Sequence, residues 1–247
     1  MARQHWKGGN MLYPVPAVMV SCQRGEEKAN IITVAWAGTV CTNPPMLSIS
    51  VRPERYSYDI IKETKEFVVN LTTKELTYAT DYCGVRSGKN VDKYKEMNLT
   101  PSESKHIKAP GIMESPVNIE CRVVAIEELG SHHLFLAKVE GVSVDESYLD
   151  ETGKFNLNDL GLVAYSHGEY FLLGEKLGNF GYSVRKKDKS EKKQIKSVTK
   201  KEKVIDSNNT KSKKKKSSDT KPKRVRDDHR NIKSKNPKNQ KKKQKRK

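Results

Sequence analysis

Three polar segments between Asn30 and Tyr94 hold the residues of this chain best suited to chemistry. The first, NIITVAWAGTVCTNPP, contains Thr33, Val34, Ala35, Trp36, Ala37, Gly38 and Thr39. Small side chains in such a run let a flat ligand approach the main chain, whose amides and carbonyls then reach its polar edge. A tight strand connection needs small residues too, so the run alone leaves both readings open. Trp36 is expected to pack in the core, the border of a bound ring being its other place. In the second segment, SISVRPERYSYD, Ser50 and Arg52 share one strand face, and Arg55, Tyr56 and Ser57 lead into a helix. Hydroxyls and amides at a helix start, beside arginines, make a phosphate site. The plain alternative is a Ser57 helix cap and a solvated Arg55. The third, DYCGVRSGKNVDKY, sets Cys83, Gly84, Ser87, Gly88, Lys89, Asn90, Asp92 and Lys93 at and after a helix end. Its glycines permit left-handed turns. Lys89 or Lys93 then meets a phosphate or a carboxylate; otherwise the segment is a helix cap and polar turn, with Lys93 paired to Asp92 or left in water.

Strands must carry most of these residues. Leu47, Ile49 and Val51 alternate with Ser48, Ser50 and Arg52. Val117, Ile119, Cys121 and Val123 oppose Asn118, Glu120 and Arg122, and Phe135, Ala137 and Val139 oppose Leu136, Lys138 and Glu140. A period of two indicates a half-exposed antiparallel sheet or barrel. Apolar runs at 15–22, 31–36, 67–71 and 170–173 add strands. Helices are expected from Ser57 to Lys65, from Thr72 to about Val85, and from Val91 to Met97. Thr72 and Glu75 have the spacing of a capping box. Pro101–Pro116 reads as a long loop, and the Gly-rich stretch 174–181 closes the fold. Two adjacent histidines, His132 and His133, begin a strand and point to opposite faces, so they cannot both line one site.

The charge is divided sharply. The formal net charge is +18, yet residues 186–247 carry 28 Lys+Arg against 7 Asp+Glu, a net of +21, and residues 1–185 a net of −3. The basic segment contains no aromatic residue, no Cys and no Leu. It cannot bury enough apolar surface to offset chain entropy and is expected to be disordered, leaving one folded domain over 1–185. Its lysine runs at 213–216 and 241–247 suit non-specific, salt-sensitive contact with RNA, DNA or another polyanion. Without interleaved aromatics, base stacking is excluded. Cys22, Cys41, Cys83 and Cys121 form no CxxC pair and no zinc spacing, which reads as reduced thiols in a cytoplasmic protein. The apolar run near the N-terminus is broken by Pro14 and Pro16 and is no membrane span.

Strands without βαβ alternation, and the lack of a GxGxxG, argue against a doubly wound nucleotide fold. GVRSGKN has one residue too few between its glycines for a phosphate loop, and Asn90 stands where that loop needs a hydroxyl. The order of TVAWAGTVCTNPP, VRPERYSYDII, FVVNL, DYCGVRSGKNVDKY, LGSHHLFLAKVEGV and YFLLGEKLGNFGYSV instead resembles the flavin reductase-like FMN-binding family, most closely its flavoredoxin branch. That resemblance covers roughly residues 10–185. It implies a mainly β split barrel with a few helices that binds FMN, and a homodimer with flavin sites near the subunit boundary. It places Thr33 to Thr39 along the isoalloxazine, and Ser50, Arg52, Arg55, Tyr56 and Ser57 by the ribityl and phosphate groups. Cys83, Gly84, Ser87, Gly88, Lys89 and Lys93 close the other side, and His132 lies near the flavin and the approaching nicotinamide. Such chemistry needs no dedicated acid or base, because the flavin accepts the hydride while the protein aligns two rings. An NADH- or NADPH-dependent flavin or ferric reductase, and an electron carrier reduced by a redox protein, both fit.

Overall fold

Period-two alternation becomes one curled sheet in the structure, a computed structural model that describes residues 2–185. The chain divides into two units, the first ending at Lys176 and the second beginning at Leu177. Of the second unit, the described residues carry one turn of 3-10 helix, Tyr182–Val184. The expectation of a disordered tail over 186–247 lies outside the described residues.

In chain order the first unit contains β1 (Val15–Pro16), β2 (Val18–Cys22), β3 (Asn30–Val34), β4 (Ala37–Cys41), β5 (Met46–Val51), α1 (Tyr56–Thr64), β6 (Glu66–Leu71), α2 (Thr77–Val85) and α3 (Lys93–Glu96). Then follow β7 (Pro101–Ser102), β8 (Gly111–Ile112), β9 (Val117–Glu128), β10 (His133–Val144), β11 (Val163–Ser166) and β12 (Glu169–Leu172). The main sheet has seven strands in the order β3-β2-β6-β9-β10-β5-β4, and β1-β11-β12 form a smaller one. No helix among the described residues is long and apolar enough to cross a membrane.

That order dictates the shape. β3 and β4 are consecutive in the chain, joined only by Ala35 and Trp36, yet they form opposite edges of the sheet. Laid flat, seven strands would put those edges roughly 29 Å apart. The connection from Val34 to Ala37 reaches about 11 Å. The sheet therefore curls until its edges nearly meet, giving a split barrel with a seam at Ala35–Trp36. On the β4 side of the seam the ladder with β5 continues one residue further, the Ser50 amide donating to the Trp36 carbonyl at 2.8 Å. Register shifts in the β9–β10 pair, at Leu136/Ala137 and Val139/Gly141, add local twist to the longest ladder.

The barrel interior is built as the alternation requires. Leu47, Ile49 and Val51 point inward with Val20, Phe67, Cys121, Phe135 and Ala137, and Ile60 and Ile61 of α1 cap them. Burying a side chain the size of Phe67 or Phe135 contributes about 1.5–3 kcal/mol. On β9 the expected outward face departs from the pattern, because Asn118 and Glu120 are buried. The 101–116 segment folds over them. Glu120 accepts from the amides of Lys105 (3.1 Å) and His106 (2.7 Å), and Asn118 Nδ2 donates to the Ile112 carbonyl at 3.1 Å. The segment read as a loop also contains the short β7–β8 ladder.

Helix limits shift for similar reasons. α1 starts one residue before the expected Ser57 and ends on Lys65 in the left-handed region, with φ 59°. α2 begins at Thr77 with no side-chain cap, so the capping box does not form. Thr72 is recruited to tertiary contacts: its hydroxyl accepts from Thr80 Oγ1 at 3.1 Å, and its carbonyl accepts from the Val163 amide at 3.0 Å. α3 is a single turn, capped by Asp92, whose Oδ1 accepts from the Lys95 amide at 3.2 Å.

Candidate functional site

The barrel seam opens into a crevice of adjoining cavities, all bordered by β3 or its exit. One end is polar and holds about 130 Å3, lined by Asn30, Ile32, Arg55, Tyr56, Ser57, Cys83, Gly84, Arg86, Ser87, Gly88 and Lys93, with one carboxylate, Glu54, that pairs with Arg52. β3 supplies Asn30, the N-terminal end of α1 supplies Arg55 to Ser57, and the end of α2 with the following turn supplies Cys83 to Gly88. Asn30 Nδ2 donates to Ser57 Oγ at 2.7 Å, locking strand to helix. The Thr33 hydroxyl donates to the Thr80 carbonyl and ties the same strand to α2.

Lys93 sets the electrostatics there. The residue is 3% exposed, yet its Nζ is an ammonium centre with three donors. Two go to the carbonyls of Ile31 (2.5 Å) and Cys83 (2.7 Å), which leaves one for the cavity that Lys93 lines. Burial pulls its pKa down to about 8. Burial likewise pushes the thiols of Cys83 up to about 11 and Cys22 up to about 12, so both stay protonated at neutral pH. Pairing of Lys93 with Asp92 does not occur: Asp92 meets Lys28 at 3.4 Å and caps α3. Space is tight as well as polar. A Cβ on Gly88 would stand 2.6 Å from Asn30 Cγ and 2.7 Å from Tyr56 Cδ1, and one on Gly84 would stand 3.2 Å from Thr33 Cβ. Both glycines let backbone approach where any side chain would obstruct.

Next to this end, sharing Ile32 and Arg55 with it, lies a second cavity of about 130 Å3 lined by Thr33, Val34, Ala35, Trp36, Ser50, Val51, Arg52 and His132. Arg52 reaches Glu54 at 3.5 Å, whereas Arg55 has no carboxylate within ion-pair distance among the described residues. Burial and the nearby Arg52 hold His132 below the usual imidazole range. Its neighbour His133 turns to the other face, where its Nδ1 meets the Tyr58 hydroxyl at 2.7 Å. A wider opening of about 660 Å3 runs along Ala37, Gly38, Ser48 and Ser50 under residues 9–12 and Val15. A fourth recess of about 250 Å3, between Trp36 and the small sheet, is lined by Tyr13, Ala17, Thr33, Ala35, Gly84, Tyr165 and Tyr170.

The three sequence segments thus converge. Thr33 to Gly38, Ser50, Arg52, Arg55, Tyr56, Ser57, Cys83, Gly84, Ser87, Gly88, Lys93 and His132 all border the crevice. Thr39 and Lys89 do not; both are exposed, on β4 and on the turn after α2. Trp36 departs from the core expectation: it is half-buried, borders three of the cavities and leans on Tyr13, with ring centroids 6.1 Å apart. Sequence reasoning missed Asn30, Arg86, Tyr13, Tyr165 and Tyr170. Asn30 carried a signal, as an amide side chain opening an apolar strand. The tyrosines carried none, because only the β1–β11 pairing, Val15 opposite Tyr165, brings them to the seam.

The crevice combines an anion-ready end with a flat slot of small residues and aromatic walls. Residues 10–173 match the family described as the flavin reductase like domain. An uncharacterised protein of Archaeoglobus fulgidus is 34% identical over 160 residues, which are 65% of this chain and 88% of that protein. Among solved structures, the flavoredoxin of Desulfovibrio vulgaris is 30% identical with a TM-score of 0.69, covering 74% of this chain and 100% of that one. The flavoredoxin of Methanosarcina acetivorans is 28% identical, with a TM-score of 0.67 and the same coverage.

Proposed function

Because this chain belongs to the flavin reductase like domain family, we propose that it binds FMN in the seam crevice and works as an NADH- or NADPH-dependent flavin or ferric reductase. The observation that carries this reading is the buried Lys93, which keeps one N–H for an anion beside Arg55, Arg86 and the Ser57 and Ser87 hydroxyls. A single phosphate ester suits that end, and its ring system suits the slot along Thr33–Gly38. When bound, FMN supplies a two-electron acceptor and donor. Lys93 and Arg55 neutralise the phosphate, and Gly84 and Gly88 let the end of α2 and its turn pack closely on Thr33, Asn30 and Tyr56 beside it. Main-chain amides and carbonyls of the seam orient the polar edge of the ring, while Trp36 shields it from water. His132, with its low affinity for protons, stands beside the slot as a neutral imidazole near the approaching nicotinamide.

The 30% identity over the full length of a flavoredoxin favours a second reading, an electron carrier reduced by a redox protein. Purified protein is expected to be yellow, absorbing between about 350 and 500 nm, a property of the flavin that the protein positions. Rapid mixing with NADH or NADPH separates the readings. Fast bleaching supports the reductase; slow bleaching by both nucleotides, with fast reduction by a reduced redox protein, supports the carrier. A colourless protein that takes up no added FMN overturns both. We further propose a cytoplasmic homodimer whose cofactor domain spans 1–185. The cationic residues 186–247 would act as a tether to RNA, DNA or another polyanion.

A further inference from the structure

The recess between Trp36 and the small sheet differs in kind from the rest of the crevice. Its volume is about 250 Å3, and no charged side chain lines it. A cavity of about 150 Å3 holds benzene, so this one has room for a single substituted ring. Its walls are the rings of Tyr13, Trp36, Tyr165 and Tyr170 over a floor of Ala35 and Gly84. The Tyr165 and Tyr170 rings meet edge to face at 5.6 Å, and the Tyr170 hydroxyl donates to Asp81 Oδ1 on α2 at 3.1 Å, which fixes that wall. The hydroxyls of Tyr13 and Tyr165 make no hydrogen bond among the described residues, so two donors remain uncommitted beside an apolar, aromatic floor. Aromatic walls favour a planar π-system. The lack of charge disfavours ions, and free hydroxyls favour a carbonyl oxygen on the ring.

We propose that this recess binds an uncharged planar ring bearing carbonyl oxygens, of the quinone class, as the electron acceptor. Its role as acceptor rests on the flavin reading above; the binding site itself does not. In the reaction it would serve, the quinone gains two electrons and two protons and becomes a hydroquinone. NADH or NADPH gives up a hydride and becomes the oxidised nucleotide, and the second proton comes from solvent. The recess shares Thr33, Ala35 and Trp36 with the slot, so an acceptor there lies beside the ring proposed to reduce it.

Trp36 is one of two tryptophans and the other, Trp6, is 77% exposed, so a Trp6→Phe protein reports from Trp36 alone, and Tyr165, which lines the recess and neither of the other two cavities beside Trp36, assigns the signal to it. Titration of that protein with duroquinone, with and without bound FMN, is expected to give saturable quenching in both forms. Cyclohexane-1,4-dione, which keeps the carbonyls but has no planar conjugated ring, and anthraquinone-2-sulfonate, which is charged, should bind weakly. Tyr165→Ala should weaken duroquinone about tenfold through the lost ring contact. Tyr165→Phe, which keeps the ring, should lose only the hydrogen-bonded part and guards against a folding defect. Non-saturable quenching, displacement of duroquinone by FMN, or equal affinity in Tyr165→Ala would overturn the proposal. A protein that binds duroquinone but never FMN would leave the site standing and remove the flavin reading.

Discussion

Lys93 is the side chain on which the polar end depends. Its folded-state pKa, about 8, lies below the ordinary 10.5, so the ammonium is the form that burial disfavours. The cost is present in full below about pH 8 and fades as the pH rises from there towards 10.5. Ligand-free native protein should therefore gain stability over that interval relative to Lys93→Met, as read by urea denaturation. A bound phosphate works in the opposite direction, because it favours the charged form. FMN affinity should fall as the pH rises through about 8 in the native protein and stay flat in Lys93→Met. At neutral pH that variant should bind FMN about 10- to 100-fold more weakly, the worth of one hydrogen bond to a charged group. Flavin fluorescence quenching measures both. Residue types announced much of this: small residues, hydroxyls and cations in 30–94 mark the crevice before any fold is known. They could not announce that Lys93 spends two donors on main-chain carbonyls, since those partners lie on β3 and α2.

At the scale of elements, local pattern and tertiary context part company where one segment covers another. β5 reads correctly because one face meets the core while the serines on the other border the crevice and stay only half-buried. β9 misleads because the 101–116 segment covers its polar face, so a glutamate placed for solvent becomes the anchor of a loop. Glu120 is 4% exposed and accepts two amides of that loop. Glu120→Ala leaves both donors without a partner and should cost about 1–3 kcal/mol. Hydrogen exchange at Lys105 and His106 should accelerate before that of β6 or β10, and unchanged exchange there would refute the anchoring role. α2 tells the same story, since Thr72 abandons the expected cap to hold β11.

Taken whole, the chain joins a family domain of slight negative charge to a strongly basic segment. The family match ends at residue 173, and the Archaeoglobus relative is covered over 88% of its own length by only 65% of this chain. Composition places a change near residue 186, where the charge turns basic and aromatics cease. Deleting 186–247 should leave FMN content unchanged and reduce retention on heparin, with the difference shrinking as salt rises. Equal retention of both forms would refute the polyanion tether. The seam carries a last consequence. A two-residue bridge between the sheet's outermost strands means that the crevice comes into being only when the barrel has rolled shut. The unfolded chain then has nothing with which to grip a cofactor, so occupancy draws the population toward the closed form by mass action. The melting temperature of this domain should climb with the logarithm of free FMN concentration, which makes heat resistance a gauge of how well the cell supplies its vitamin.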